Sequence, residues 1–176
     1  TAPYYRSTYA LVYPYGSVLD GRVRSGGDMV GLEPGVRHRL RIGMTERSPG
    51  TRWLAKYDML EQIVPYVAQS GDPGEFPGEP ILQDLLSGKL DAAIVWGPTA
   101  GLFSTHLKDG KPLRLVPLVS EAGVRFDFAI SAAVRFGEEE WKEQVDALLK
   151  KNSGAIHAIL RGYHVPLLDD QGQQID

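Results

Sequence analysis

Apolar residues recur along this chain in short runs, some with the two-residue repeat of strands and others with the three-to-four-residue repeat of helices. Residues 7–13 are β-branched and aromatic and predict a first strand, and the alternating residues 40–44 predict a second. In residues 52–60 four side chains share one helical face: Trp53, Leu54, Tyr57 and Leu60. A strand, a polar loop and a helix follow one another, which indicates a βα unit.

The same alternation continues through the rest of the chain. Further strands are predicted at residues 63–67, 92–96, 113–118 and 126–134, and helices at residues 79–87, 99–107, 138–151 and 153–160. Pro65 makes the strand at 63–67 an edge strand, because proline cannot donate a ladder hydrogen bond. This order of elements predicts an α/β fold with an open sheet, right-handed crossovers and flanking helices.

Gly, Pro and charged residues mark the connections between these elements. Residues 21–35 are predicted to be a loop with at most one short turn of helix, and residues 71–78 a surface loop. Gly88 is expected to end the helix before it, and Asn152 to cap the last helix. The polar residues 169–176 are predicted to be a frayed tail.

The run at residues 90–98 is the most informative part of the chain. It is a buried strand of the parallel type that ends in the turn Gly97-Pro98, with Trp96 at its exit. Because open α/β sheets bind ligands where their strands end, Trp96 is predicted to line a cleft. The alternative is that Trp96 packs in the core like other tryptophans.

The loop at residues 45–51 joins a strand end to a helix start, where free N–H groups and hydroxyls receive an anion or a polar ligand. Arg47 and Arg52 either reinforce such a site or lie on the solvated surface. The alternative for Thr51 is that it caps its own helix. Tyr4, Tyr5 and Tyr9 either line a pocket or stiffen a strand edge.

Composition narrows the function classes. The net charge of -3 is spread along the chain, which argues against nucleic acid as a partner. No apolar run approaches the roughly 20 residues that span a bilayer. Cysteine is absent, and the four histidines, His38, His106, His157 and His164, show no metal-ligand spacing. Without a nucleophile motif or a phosphate-binding loop, the sequence predicts no enzyme, no metal and no cofactor.

Several stretches together resemble the type II periplasmic solute-binding proteins: PYYRSTY at 3–9, LRIG at 40–43 and GKLDAAIVWGPTAG at 88–101. More narrowly, VWGP at 95–98, FDFAIS at 126–131 and AILRGYHVP at 158–166 resemble the MxaJ/XoxJ branch. Members of that branch accompany quinoprotein methanol dehydrogenases. The resemblance covers nearly the whole chain.

The resemblance implies two lobes with a ligand cleft between them. Residues 1–8 are then the first crossing strand, 9–118 the second lobe, 119–134 the return crossing strand, 135–168 the C-terminal helices that pack on the first lobe, and 169–176 a tail. Most of the first lobe is expected to precede Thr1. Because large exposed apolar patches are rare on monomers, the chain is predicted to associate with a copy of itself or with a separate N-terminal piece.

The family also implies a function. The chain is expected to be a periplasmic, non-enzymatic accessory protein that matures or activates a methanol dehydrogenase containing pyrroloquinoline quinone. The metal of that enzyme is left open, a lanthanide included. Amino-acid-binding relatives commonly carry an acidic residue where this chain has Trp96, and an indole cannot replace that charge. An apolar cleft for a hydrophobic ligand or a peptide segment is therefore predicted.

Cleft residues are predicted from the strand end, the loop and the first crossing strand: Tyr4, Tyr5, Thr45, Ser48, Thr51, Arg52, Trp96 and Gly97. Two alternatives stay open. One is a receptor of an ABC transporter for a small organic ligand. The other is a dehydratase of the same fold, for which Glu46 and Asp127 are the candidate acids.

Overall fold

A computed structural model describes residues 1–68, 71–72, 74–76, 78–105 and 112–175. Its strands are β1 (Tyr5–Pro14), β2 (Ile42–Thr45), β3 (Ile63–Tyr66), β4 (Ala92–Trp96), β5 (Leu113–Pro117), β6 (Asp127–Ile130), β7 (Leu167–Leu168) and β8 (Gln174–Ile175). Its helices are α1 (Gly26–Val30), α2 (Pro34–Arg37), α3 (Pro49–Lys56), α4 (Glu79–Leu86), α5 (Gly97–Thr105), α6 (Glu139–Lys151) and α7 (Ser153–Gly162), with a 3-10 turn at Leu60–Gln62.

The long strand β1 organises the sheet. Its second half pairs antiparallel with β4 on one side and with β5 on the other. Its first half pairs antiparallel with β6, and Ser7 pairs with β7. Beyond β4, the strands β2 and β3 run parallel to one another, and β2 is parallel to β4. The sheet is therefore mixed and open, with β3 at its edge as Pro65 predicts.

Both faces of the central strands are buried. Because side chains alternate along a strand, Leu11 and Tyr13 of β1 face one core and Ala10 and Val12 face the other. The first core is completed by side chains of α1 and α3, including Trp53, and the second by side chains of α4 and α5. This arrangement, with helices on two sides of one sheet, explains why the strands read as continuous apolar runs.

The two C-terminal helices are packed far more loosely. Neither α6 nor α7 contains a buried residue. Five large apolar side chains on or beside these helices are exposed: Phe136, Trp141, Leu148, Ile159 and Tyr163. The prediction that this surface pairs with a copy of the chain stays a prediction. None of the helices in the described parts of the chain is long and apolar enough to cross a membrane.

Several sequence-based boundaries were wrong. The predicted strand at 126–134 is strand only in β6, because beyond Ile130 the chain no longer pairs with β1. The tail is not frayed over its described residues, since β8 pairs with β7 and the Asp169 carboxylate accepts hydrogen bonds from two backbone N–H groups of the turn between them. The predicted loop at 21–35 contains α1 and begins α2. Ser25 caps α1 by accepting from the Asp28 N–H.

Helix starts also differ from the predictions. Helix α3 begins three residues earlier than predicted, and α5 begins two residues earlier, directly at the end of β4. The predicted end of that helix at residues 106–107, including His106, and residues 73 and 77 of the 71–78 loop lie outside the described residues. Asn152 does not cap α7 with its side chain; its amide donates to the Leu148 carbonyl of α6 instead.

Candidate functional site

A cavity of 1090 Å³ opens where three parallel strands end. Thr45, Tyr66 and Trp96 are the last residues of β2, β3 and β4, and all three line it. Neighbouring parallel strands carry their carboxyl ends to the same edge of a sheet, which brings these residues together. The cavity therefore occupies the position at which open α/β sheets bind ligands.

Three aromatic rings line this cavity, and we call Tyr9, Trp96 and Phe128 the aromatic corner. Tyr9 on β1 is the pairing partner of Trp96 on β4, so both side chains lie on the same face of the sheet. The ring centroids are 5.4 Å apart for Tyr9 and Trp96, 5.9 Å for Trp96 and Phe128, and 6.3 Å for Tyr9 and Phe128. The interplanar angles of 60°, 71° and 66° make each pair edge to face.

Tyr66 is held in place by a hydrogen-bonded chain of side chains. Its hydroxyl donates to the Asp84 carboxylate at 2.6 Å, and the Lys89 ammonium donates to the same carboxylate at 2.8 Å. The bond from Lys89 and then that from Tyr66 lower the pKa of Asp84 below its ordinary value. Burial and then the bond to Asp84 raise the pKa of Tyr66. Tyr66 is therefore neutral, and its hydroxyl hydrogen lies in the hydrogen bond to Asp84.

The rest of the wall is mostly apolar or small. It consists of Pro65, Val67, Ala68, Glu75, Phe76, Gly78, Pro80, Ile81, Val95, Thr99, Ala129 and Ile130. Among the lining residues that the structure describes, Glu75 carries the only formal charge. A cavity of this composition favours ligands with apolar surface and disfavours anions.

Comparison with solved structures identifies the family. No protein-family model matches the chain, and no curated protein sequence does. The periplasmic binding protein XoxJ from Methylobacterium extorquens AM1 is similar to it with a TM-score of 0.76 and 32% sequence identity, over 97% of this chain and 74% of XoxJ. The chain belongs to the XoxJ/MxaJ branch of the type II periplasmic binding proteins.

Two further structures share the fold of this periplasmic binding protein. MxaJ from Methlophaga aminisulfidivorans MPT has a TM-score of 0.72 at 24% identity, over 96% of this chain and 70% of MxaJ. An ancestral cationic amino acid solute-binding protein has a TM-score of 0.61 at 14% identity, over 88% of this chain and 56% of its own. At these identities the likeness supports the fold alone. The predicted family and α/β fold class are confirmed.

In this periplasmic binding protein the loop after β2 is shorter than predicted. Ser48 occupies the N-cap position of α3, is 8% exposed, and has a hydroxyl without a hydrogen-bond partner among the described residues. Thr51 lies inside α3 and does not cap it; its hydroxyl contacts Met44 Sδ at 3.7 Å. Arg52 is exposed. These three predicted site residues lie beside the strand end but do not line the cavity.

Tyr4 and Tyr5 also lie outside the cavity wall. Their rings contact each other edge to face at 5.1 Å, and Tyr5 pairs with Ile130 across β1 and β6. Both lie at the start of β1, where this strand pairs with β6. Their predicted contact with a ligand or partner stays a prediction.

Gly97 has a backbone role in the turn from β4 to α5. A Cβ atom at this position would lie 2.3 Å from the Thr8 carbonyl oxygen, which no side chain tolerates. Gly97 is buried and does not line the cavity. Of the eight predicted site residues, the cavity wall therefore contains Thr45 and Trp96.

Sequence reasoning left out Tyr66 and Phe128 and did not commit to Tyr9. A usable signal existed for Tyr66, since it lies next to the end of the strand predicted at residues 63–67, as Trp96 lies at the end of the strand predicted at residues 92–96. Tyr9 and Phe128 depend on the pairing of β1 with β4 and β6, which the sequence alone does not give.

The candidate acids of a dehydratase do not line this cavity. Glu46 is exposed. Asp127 pairs with Arg6 at 3.1 Å and accepts a hydrogen bond from the Ser120 hydroxyl, so its carboxylate connects β6 to β1. Within the described residues, no group of three His, Cys, Asp or Glu side chains is placed to hold a metal ion.

Proposed function

We propose that this chain is a periplasmic accessory protein that matures or activates a methanol dehydrogenase containing pyrroloquinoline quinone. It does so by holding a segment of that enzyme in the cavity beside the aromatic corner. The observation that carries this proposal is a ring-lined cavity of 1090 Å³ in a member of the XoxJ/MxaJ branch. The lobes and crossing strands implied by the family are part of the same proposal.

The charge of the cavity supports a segment over a free amino acid. Within the described wall no Lys, Arg or His is present for a ligand carboxylate, so any such partner would come from the other lobe that the family implies. Trp96 stands at the strand end where an acid would hold the ammonium group. Aromatic side chains instead bury apolar surface and anchor partner segments in protein interfaces.

The pairing of β1 with β6 supports a clasping motion. Both strands contribute residues to the cavity, Tyr9 from β1 and Phe128 from β6. The Arg6–Asp127 ion pair joins the same two strands. Binding proteins close by small rotations about such connecting strands, so a segment in the cavity is held when the strands bend and released when they relax.

The test measures methanol dehydrogenase activity during titration with this protein. Trp96→Ala is expected to weaken the apparent affinity by about tenfold or more, the usual cost of losing an aromatic anchor. Trp141→Ala is the matched control, because that ring is half-exposed on α6 and outside the cavity. Equal titration curves for the two variants, or no effect of the wild-type protein on the enzyme, contradict the proposal.

A transporter receptor is the second candidate, because the cavity is also large enough for a small organic ligand. Calorimetry with amino acids and organic acids separates the two functions. Binding at micromolar concentrations favours the receptor, and its absence, together with an effect on the dehydrogenase, favours the accessory protein.

A further inference from the structure

We propose that the aromatic corner binds a quaternary ammonium group, so that the cavity takes an organic cation with an apolar shell as a ligand of its own. The inference rests on the proposed function only in using the same cavity. Tyr9, Trp96 and Phe128 are each partly exposed, and all three line the cavity. A ligand that enters it therefore reaches these rings.

Ring geometry is the first argument. A cation is attracted to an aromatic face from within about 6 Å of the ring centroid. The three centroids lie 5.4 to 6.3 Å apart with steep angles between the planes, so one cation on the cavity side comes within that distance of all three. Sites of this kind recognise choline and methylated lysine.

The chemistry of the corner selects among cations. A primary ammonium or a guanidinium carries N–H donors that lose water on entry and then need acceptors. The corner offers ring carbons and a single hydroxyl oxygen, that of Tyr9, as an acceptor for those donors. A quaternary ammonium has a shell of methyl or methylene groups and no donor, so it loses no hydrogen bond there.

The charge of the wall is the second argument. Glu75 supplies the only formal charge among the described lining residues, and it is negative. The described lining residues include no Lys, Arg or His, so no positive charge in the wall itself opposes a cation.

Arg125 provides a variant that is expected to strengthen cation binding, whereas loss of a ring weakens it. Its Cζ atom lies 5.2 Å from the Phe128 ring centroid, and its Nε donates to the Asp127 carbonyl at 2.9 Å. Arg125 does not line the cavity. Phe128 thus already interacts with one cation, and the positive charge of Arg125 opposes a second cation at the corner.

Choline is the probe, and 3,3-dimethylbutan-1-ol is its neutral counterpart of nearly the same shape. Calorimetry on the whole chain is expected to show saturable choline binding at least about tenfold tighter than binding of the alcohol. The Trp96 indole N–H resonance, assigned by its loss in Trp96→Phe, is expected to shift with choline. Equal binding of both compounds, or no binding of choline, overturns the inference.

Variants locate the site. Trp96→Leu is expected to weaken choline binding by about tenfold, whereas Trp96→Phe keeps a ring and most of the affinity. Arg125→Gln is expected to strengthen it by about twofold, because a nearby positive charge is removed. Trp141→Leu, outside the cavity, leaves it unchanged. Circular dichroism confirms that each variant is folded, and weaker binding by Arg125→Gln contradicts the proposed site.

The choline titration and the dehydrogenase titration test the two proposals separately, so one proposal can be refuted without the other. Choline binding without any effect on a dehydrogenase refutes the accessory function and leaves the cation site standing. An effect on the dehydrogenase without choline binding refutes the cation site and leaves the accessory function standing.

Discussion

The sheet with its flanking helices α3 to α5 and the C-terminal helices α6 and α7 are built differently. Strands β1 and β4 bury side chains on both faces, and the cavity lies at the edge of this body. Helices α6 and α7 contain no buried residue and carry Trp141, Leu148 and Ile159 on their surface. The chain therefore has one region whose folding supports the site and one whose apolar face is largely uncovered.

This difference shows where stability and binding are coupled. Trp96 ends a strand whose other residues are all buried, so the core that stabilises β4 also fixes the ring at the cavity. No comparable core stands behind Trp141, which is 50% exposed. Equivalent substitutions in the two regions are thus expected to have unequal effects, and pairs of matched variants measure the inequality.

Two phenylalanines give the largest expected contrast. Phe103 in α5 is fully buried, so Phe103→Ala is expected to lower the free energy of unfolding by about 3–5 kcal/mol through lost burial and a cavity. Phe136, before α6, is fully exposed, and Phe136→Ala is expected to change it by less than about 0.5 kcal/mol. Urea denaturation measures both. Similar losses in the two variants would show that Phe136 is covered in solution.

Two glycines give the next contrast, because their substitution by alanine is expected to change the stability of the fold in opposite directions. Gly97→Ala places a Cβ against the Thr8 carbonyl oxygen and is expected to destabilise the fold by about 1–3 kcal/mol. Gly154 in α7 has open space around its Cβ position, so Gly154→Ala is expected to stabilise the fold by about 0.5–1 kcal/mol. Thermal unfolding of both variants checks the signs, and a stable Gly97→Ala protein contradicts the close approach.

The strand ends show how much of the fold and of the candidate site could be predicted from the sequence. Periodicity gave β1, β2 and β4 and placed Trp96 at a strand exit, because a buried strand and its turn are local features. Its partners Tyr9 and Phe128 come from strands far away along the chain. Strand pairing sets their register, and pairing depends on the whole core rather than on local sequence.

The errors have equally physical reasons. Helix α3 begins earlier than predicted because Pro49 is well suited to the first turn of a helix, where its missing N–H costs nothing. Ser48 rather than Thr51 therefore takes the N-cap position, and both lie outside the cavity wall. Strand β8 was missed because its short pairing with β7 depends on the Asp169 turn, which composition describes only as polar.

The smallest expected effect concerns pH and the support of Tyr66. Since the hydrogen bonds from Lys89 and Tyr66 lower the pKa of Asp84 in the folded protein, the ionised carboxylate stabilises the fold above its unfolded pKa of about 3.9. That stabilisation is lost as the pH falls through the lower folded pKa. The difference in unfolding free energy between wild type and Asp84→Asn is thus expected to be constant from about pH 7 to 5 and to shrink below about pH 4.

Urea denaturation across this pH range measures the difference, and Tyr66→Phe serves as the second variant. Tyr66→Phe removes one of the two hydrogen bonds to the Asp84 carboxylate. The dependence of the unfolding free energy on pH near pH 4 is therefore expected to be weaker in this variant than in the wild type, but still present. A difference between wild type and Asp84→Asn that stays the same at every pH contradicts the hydrogen-bonded chain behind the cavity. In that case packing alone holds Tyr66 in the cavity wall.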